Sequence, residues 1–221
     1  MKTASSKSIR FTLVRHGESE ANRDATVGGN AVPLTPEGRR QSALLGEYFT
    51  RKGHTFDAVW YSSLPRAIQT FEEMQAILPK DRFPKKSLFE DARLIERQHG
   101  EWEGRSAKDA WTDSEKARMN QLGADYRTPG GESFRDTIRR MDSWLQDALK
   151  AARSLQKDRV HYLVVSHGHA IRCLVAPLFE LGVHTHWRMA LDNTSITTIR
   201  WVDGIGWFLD TWNATPHLDQ P

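Results

Sequence analysis

Residues 9–18 read IRFTLVRHGE, and this stretch decides the fold. Ile9–Val14 is short, β-branched and aromatic, the composition of a buried strand. It runs directly into Arg15-His16-Gly17-Glu18. Open α/β sheets bind ligands beyond the carboxyl ends of their strands, so an arginine and a histidine at that edge form a candidate site. The arrangement recurs. His161–Ser166 (HYLVVS) reads as a second apolar strand and leads into His167-Gly168. Two histidines at the ends of two such strands can face each other across one pocket.

Working outward, Ala58–Tyr61 reads as a further strand, and Ser195–Val202 with Trp207–Thr211 as a hairpin around Asp203-Gly204-Ile205-Gly206. Helical patterns lie between the strands. Pro36–Thr50 follows Thr35 as N-cap, with proline at N1. Leu64–Leu78 places Ala67, Phe71, Met74 and Leu78 on one face. Ser133–Leu155 keeps helical spacing through Phe134, Ile138, Met141, Leu145, Leu149 and Ala152, and Ser133…Asp136 has the form of a capping box. This alternation predicts an α/β fold with helices on both sheet faces, a three-layer α/β/α sandwich.

The 221 residues suit one domain, 1–221, with its core at about 9–212. Gly104–Gly131 is the least regular stretch and reads as a lid-like excursion, partly helical around Lys108–Leu122. With 38% hydrophobic and 27% charged residues, a soluble globular protein is expected. The single cysteine, Cys173, excludes an internal disulfide and a multi-thiolate metal site, and fits a reducing compartment. No leader pattern or membrane span is read, so the expected location is cytoplasmic. A net charge of +3 is too mild to argue for nucleic acid. His184 and His186 stand two apart without a supporting Cys, Asp or Glu pattern, so neither metal nor cofactor is expected.

The residue types beside the strands suit a phosphate ester. Arginine presents a planar fork to phosphate oxygens, and a neutral imidazole can attack phosphorus. Of His16 and His167, one can attack while the other steadies developing charge. Ser166 can also cap a following helix. Arg66, in Ser62-Ser63-Leu64-Pro65-Arg66, falls in a helix's first turn, where a cation gains nothing from the dipole and an anionic partner explains it. Ester cleavage needs a proton donor whose pKa is raised by burial or nearby negative charge. Glu96, Glu101 and Glu103 compete for that role, and spacing does not choose among them.

In order, RHGES at Arg15–Ser19, Asn22, PLTPEG at Pro33–Gly38, SSLPRAIQT at Ser62–Thr70, LIERQHGEWEG at Leu94–Gly104, PGGES at Pro129–Ser133, SHG at Ser166–Gly168 and DNTSI at Asp192–Ile196 resemble the histidine phosphatase superfamily, in its phosphoglycerate-mutase-like branch. The resemblance spans Ile9 to about Trp212 and implies a mostly parallel sheet. It implies His16 as the phosphorylated nucleophile and His167 beside it. Arg15 and Arg66 would complete the phosphate pocket, with Gly168 in it, Asn22 at its rim and Ser62 close by. It also implies Glu96 as proton donor and a structural Glu103. Ala31 and His99 depart from the usual pattern, and Arg97 follows the acid as in the mutases.

The expected activity is metal-independent hydrolysis of a small phosphorylated metabolite. A cofactor-dependent phosphoglycerate mutase is the alternative, and a weakly catalytic phosphopeptide-binding module stands third. The segment Arg105–Thr128 is shorter than the corresponding mutase insertion, and Asn213–Pro221 offers little material for a closing tail. Lys108, Trp111, Lys116, Arg118 and Arg127 of the excursion are expected to decide the substrate.

Overall fold

The computed structural model describes residues 6–82, 86–182, 185 and 188–219. Its centre is a six-stranded sheet. The strands are β1 (Ser8–Arg15), β2 (Ala58–Tyr61), β3 (Leu88–Glu90), β4 (Arg159–Ser166), β5 (Ile196–Val202) and β6 (Gly206–Ala214). Their order is β3-β2-β4-β1-β5-β6. β3, β2, β4 and β1 run parallel, and the hairpin β5–β6 adds antiparallel to β1.

Period-two alternation on β1 assigns the layers. Ile9, Phe11 and Leu13 face one side, with Val160, Tyr162 and Val164 of β4. Helices α6 (Phe134–Ser154) and α7 (Gly168–Leu178) cover this side. Val14, with Leu163 and Val165, faces the other side, under α2 (Pro36–Arg51) and α3 (Pro65–Ile77). This is the three-layer sandwich with a mostly parallel sheet. Trp144 and Leu145 of α6 are almost wholly buried against β1 and β4. Leu145→Ala there should cost about 2–5 kcal/mol.

The caps read in the sequence form. Gly38 N–H donates to Thr35 Oγ1 at 3.0 Å, with Pro36 in the first turn of α2. Ser133 and Asp136 make a reciprocal capping box on α6. The turn after β1 depends on two glycines: a Cβ on Gly17 would lie 2.4 Å from the Gly38 carbonyl oxygen, and one on Gly38 only 2.0 Å from that of Glu18. No larger residue fits either position, so the segment after His16 is clamped on the start of α2.

The helical part of the excursion, expected around Lys108–Leu122, is two helices, α4 (Ala107–Ala110) and α5 (Asp113–Leu122). Other elements differ from expectation. A short helix α1 (Glu20–Arg23) is capped by Ser19 and Asn22. The edge strand β3 is only three residues long, with too little pattern to read. Helix α7 buries Ile171, Cys173, Leu174, Val175 and Ala176 and leaves only a narrow polar stripe through His169 and Arg172. Ser166 does not cap it. Its hydroxyl donates to the Leu94 carbonyl at 2.7 Å, and His167 holds the N-cap position without a side-chain bond. Among the described residues, no helix is long and apolar enough to cross a membrane.

Candidate active site

The register of the sheet builds the site. Arg15 on β1 pairs with Ser166 on β4, so the next residue of each strand is a histidine. His16 N–H donates to the Ser166 carbonyl at 3.0 Å, and the ring centroids of His16 and His167 lie 5.0 Å apart. His16 Nδ1 lies 2.7 Å from the Gly17 carbonyl. A carbonyl only accepts, so Nδ1 carries the proton and Nε2 keeps its lone pair. Arg66 Nε donates toward that lone pair at 3.3 Å, while its Nη1 donates to the Gly29 carbonyl at 2.8 Å. Burial, then the charges of Arg66, His167 and Arg15, hold the His16 pKa well below its ordinary value. The ring is therefore neutral and oriented, the state in which an imidazole can attack phosphorus.

A pocket of about 220 Å³ opens over it. Arg15, His16, Asn22, Arg66, Glu96 and Gly168 line it, as the sequence implies. Arg15 is pulled down to about 10 by burial, and its buried Nε has no protein partner. A Cβ on Gly168 would come within 3.7 Å of that Nε and 3.8 Å of Glu96 Oε2, so glycine keeps this corner open. His167 and Ser62 lie behind the lining. Both are fully buried, and His167 Nε2 is 2.7 Å from Ser62 Oγ. His167 Nδ1 is buried without a protein partner, and burial, then Arg66, holds this ring's pKa well below the ordinary value.

Of the three competing glutamates, Glu101 is exposed and Glu103 accepts the His99 amide at 3.3 Å. Glu96 alone faces the pocket. Its carboxylate accepts amide hydrogen bonds from Arg97, His169 and Ala170 at 2.9, 3.2 and 3.1 Å, the last two from the first turn of α7. The expectation of a raised pKa is corrected here. Burial raises it, but the His169 side chain, the charge of His167 and the Arg97 amide outweigh burial and hold it well below the usual carboxylate range. An ionised Glu96 serves as the anion at a helix N-terminus.

Two placements bear on substrate selection, and the second corrects the expectation for the excursion. Arg97 does not line the pocket. It is 1% exposed, and its guanidinium sits 4.5 Å from the Phe134 ring centroid, between Tyr126 and Trp111, donating to the Glu132 carbonyl at 3.1 Å. Of the excursion residues, only Trp111 reaches the lining. Lys116, Arg118 and Arg127 form ion pairs with Asp113, Glu115 and Asp136, and Lys108 is exposed. The excursion joins the wall through backbone: Val27 N–H donates to the Arg105 carbonyl and Gly104 N–H to the Val27 carbonyl.

The pocket gains residues that the sequence reading did not assign: Arg172, His169 and, with no role given to it, His99. Arg172 stands one helical turn beyond Gly168, a spacing that could have revealed it. Among the described residues, no three His, Cys, Asp or Glu side chains group as a metal site; His184 and His186 lie outside those residues.

With this geometry in hand, the comparisons are specific. A probable phosphoglycerate mutase (GpmB) of Salmonella paratyphi C is 32% identical, with 96% of each chain covered. The solved mycobacterial glucosyl-3-phosphoglycerate phosphatase in complex with VO3 is 26% identical at a TM-score of 0.77, over 93% of this chain and 98% of that one. A putative alpha-ribazole-5'-P phosphatase of Escherichia coli K-12 is 25% identical at a TM-score of 0.76, over 94% and 97%. The model of the histidine phosphatase superfamily, branch 1, matches residues 11–215, and the chain belongs to that family.

Proposed function

We propose that this chain hydrolyses phosphomonoesters of small metabolites through a phosphohistidine on His16, as one domain partly covered by the excursion at about 104–131. The observation that carries this reading is the His16 ring: neutral, its proton tied to Gly17, its Nε2 beside Arg66 in a pocket with Arg15.

Arg15 and Arg66 hold the phosphoryl oxygens, and Asn22 closes the rim. His16 Nε2 bonds to phosphorus as the ester P–O bond breaks. His167, aligned by Ser62, steadies the charge on the equatorial oxygens. The leaving oxygen takes a proton through Glu96 and departs as an alcohol. Glu96 then takes a proton from water, whose oxygen attacks phosphorus. The P–N bond breaks, Glu96 returns its proton to the departing inorganic phosphate, and His16 and the ionised Glu96 are restored.

Glu96 is ionised in the free site, so the proton arrives with the substrate. A phosphate monoester has its second pKa near 6, and its monoanion brings one proton into hydrogen-bond range of Glu96. Bound between two arginines, the phosphoryl group also adds negative charge beside Glu96, which favours its protonated form.

A phosphoglycerate mutase is the second reading, favoured by the relatives named as probable mutases. Two observations weigh against it. Arg97 is spent on the Phe134 ring, and Trp111 alone comes from the excursion to the pocket. The deciding assay supplies 3-phosphoglycerate with catalytic 2,3-bisphosphoglycerate and measures 2-phosphoglycerate and free phosphate. Phosphate release with little interconversion is expected; rapid interconversion with negligible release would promote the mutase.

A further inference from the structure

We propose that His217, in the C-terminal segment, is a positioning residue for the phosphoryl-transfer site, acting through Thr194 on the main chain of His16; the inference rests on His16 being the reacting group.

Residues 192–195 form the turn that enters β5 beside His16. Thr194 there has φ +56, a left-handed conformation uncommon for a β-branched residue. Such a backbone persists only where its surroundings over-determine it. It brings the Thr194 N–H to the carbonyls of Arg15 and His16, at 3.1 and 3.3 Å. The neighbouring Asn193 Nδ2 donates to the same His16 carbonyl at 3.0 Å and to Asn22 Oδ1 at 3.1 Å. This turn therefore holds the backbone of the nucleophile from one side, and β4 holds it from the other.

The hydroxyl of Thr194 donates to the Asn193 carbonyl at 2.7 Å. It has one proton, so in its 2.8 Å contact with His217 Nε2 the imidazole is the donor. His217 is 2% exposed and Thr194 fully buried. Its ring centroid lies 6.2 Å from that of Tyr48 on α2. Burial pushes its pKa down to about 4, so the ring is neutral. The turn's other end is clamped separately, by Asn213 Nδ2 donating to Asp192 Oδ2 at 2.8 Å. His217 lines no part of the pocket. Its influence reaches the site through one hydrogen bond to the strained residue.

The experiment compares His217→Phe, which keeps a ring and loses the donor, with His217→Gln, whose amide nitrogen reproduces the Nε2 position. Hydrogen exchange at the Thr194 amide is read beside that of core amides in β1 and β4. His217→Phe should speed Thr194 exchange and lower kcat for p-nitrophenyl phosphate about tenfold each, the worth of one buried neutral hydrogen bond. KM should stay within about twofold, since no pocket residue is touched, and His217→Gln should restore both. Thr194→Val should reproduce the loss, and adding His217→Phe to it should change nothing further. Unchanged Thr194 exchange in His217→Phe, uniform acceleration across the core amides, or additive losses in the double variant would overturn the proposal. If His217→Phe does not fold, the Thr194→Val and His217→Gln comparison decides by the same readouts. Should the wild-type chain cleave no phosphomonoester, the phosphatase reading fails, while Thr194 exchange still decides the positioning role.

Discussion

Arg97 Nη2 donates to His99 Nδ1 across 3.3 Å, with both side chains buried. A guanidinium has no acceptor, so this contact assigns the His99 proton to Nε2. Burial, then the Arg97 charge, pushes the His99 pKa down to about 3. His99 is thus a neutral hydrogen-bond donor in the pocket wall, its tautomer set from beneath.

Arg97→Met tests this arrangement. The cation stacked on Phe134 and Tyr126 joins the excursion to α6, and a desolvated cation–π contact is worth about 2 kcal/mol. The melting temperature should fall by several degrees, KM for a metabolite ester should rise, and kcat for p-nitrophenyl phosphate should change little. Loss of turnover at an unchanged melting temperature would mean that Arg97 itself meets the substrate.

His16→Ala should remove essentially all turnover, and base-quenched wild-type enzyme should carry an acid-labile phosphoryl group on His16. Glu96→Gln separates chemistry from binding. Proton donation matters most for a poor leaving group, so an alkyl phosphate should slow far more than p-nitrophenyl phosphate. Equal losses on both would reduce Glu96 to its structural contact with α7.

The pH profile follows from two shifts. The His16 pKa is lowered, so the ring stays unprotonated well below pH 6.5 and sets no acid limb there. The Glu96 pKa is lowered too, so the needed proton must come with the monoanionic substrate. The kcat/KM value should therefore fall about tenfold per unit above the substrate's second pKa near 6. A plateau reaching pH 8 would show that Glu96 holds its own proton in the free enzyme.

Stability should also depend on acid. His99, His161 and His217 have folded values of about 3, 4 and 4 against an ordinary 6.5. Below 6.5 the unfolded chain binds protons that these native rings refuse, so stability rises with pH across this window and is lost as pH falls toward 4. One such histidine costs about 2 kcal/mol at pH 5, or roughly 4–8 °C for a chain of this size. Calorimetry between pH 7 and 5 should show the decline; a flat melting temperature would mean that these rings titrate normally.

The sequence disclosed what depends on neighbours along the chain. Strand-end histidines, the Thr35 and Ser133 caps and the alternation of strands with helices are all local patterns of spacing and type. What it concealed depends on contacts distant in sequence. Arg97 and Glu96 are adjacent in the chain, yet one enters the pocket and the other an aromatic cluster, because the backbone there lies between α6 and α7. The ionised state of Glu96 was hidden for the same reason: two of its three amide donors sit 73 and 74 residues away. Lys116 and Arg118 of the excursion have the charge of substrate ligands, but acidic partners three residues off engage them.

The pairing of Arg15 with Ser166 has one more consequence. Neighbouring strands lie about 4.8 Å apart in any sheet, and the two imidazoles stand at almost that distance, 5.0 Å. The two histidines thus take their spacing from the pitch of the main-chain lattice, as teeth on a comb do, while Arg66 and Ser62 orient the rings. A single-residue deletion within β4 would turn His167 to the opposite face and leave a folded protein with half of its chemistry facing the wrong layer.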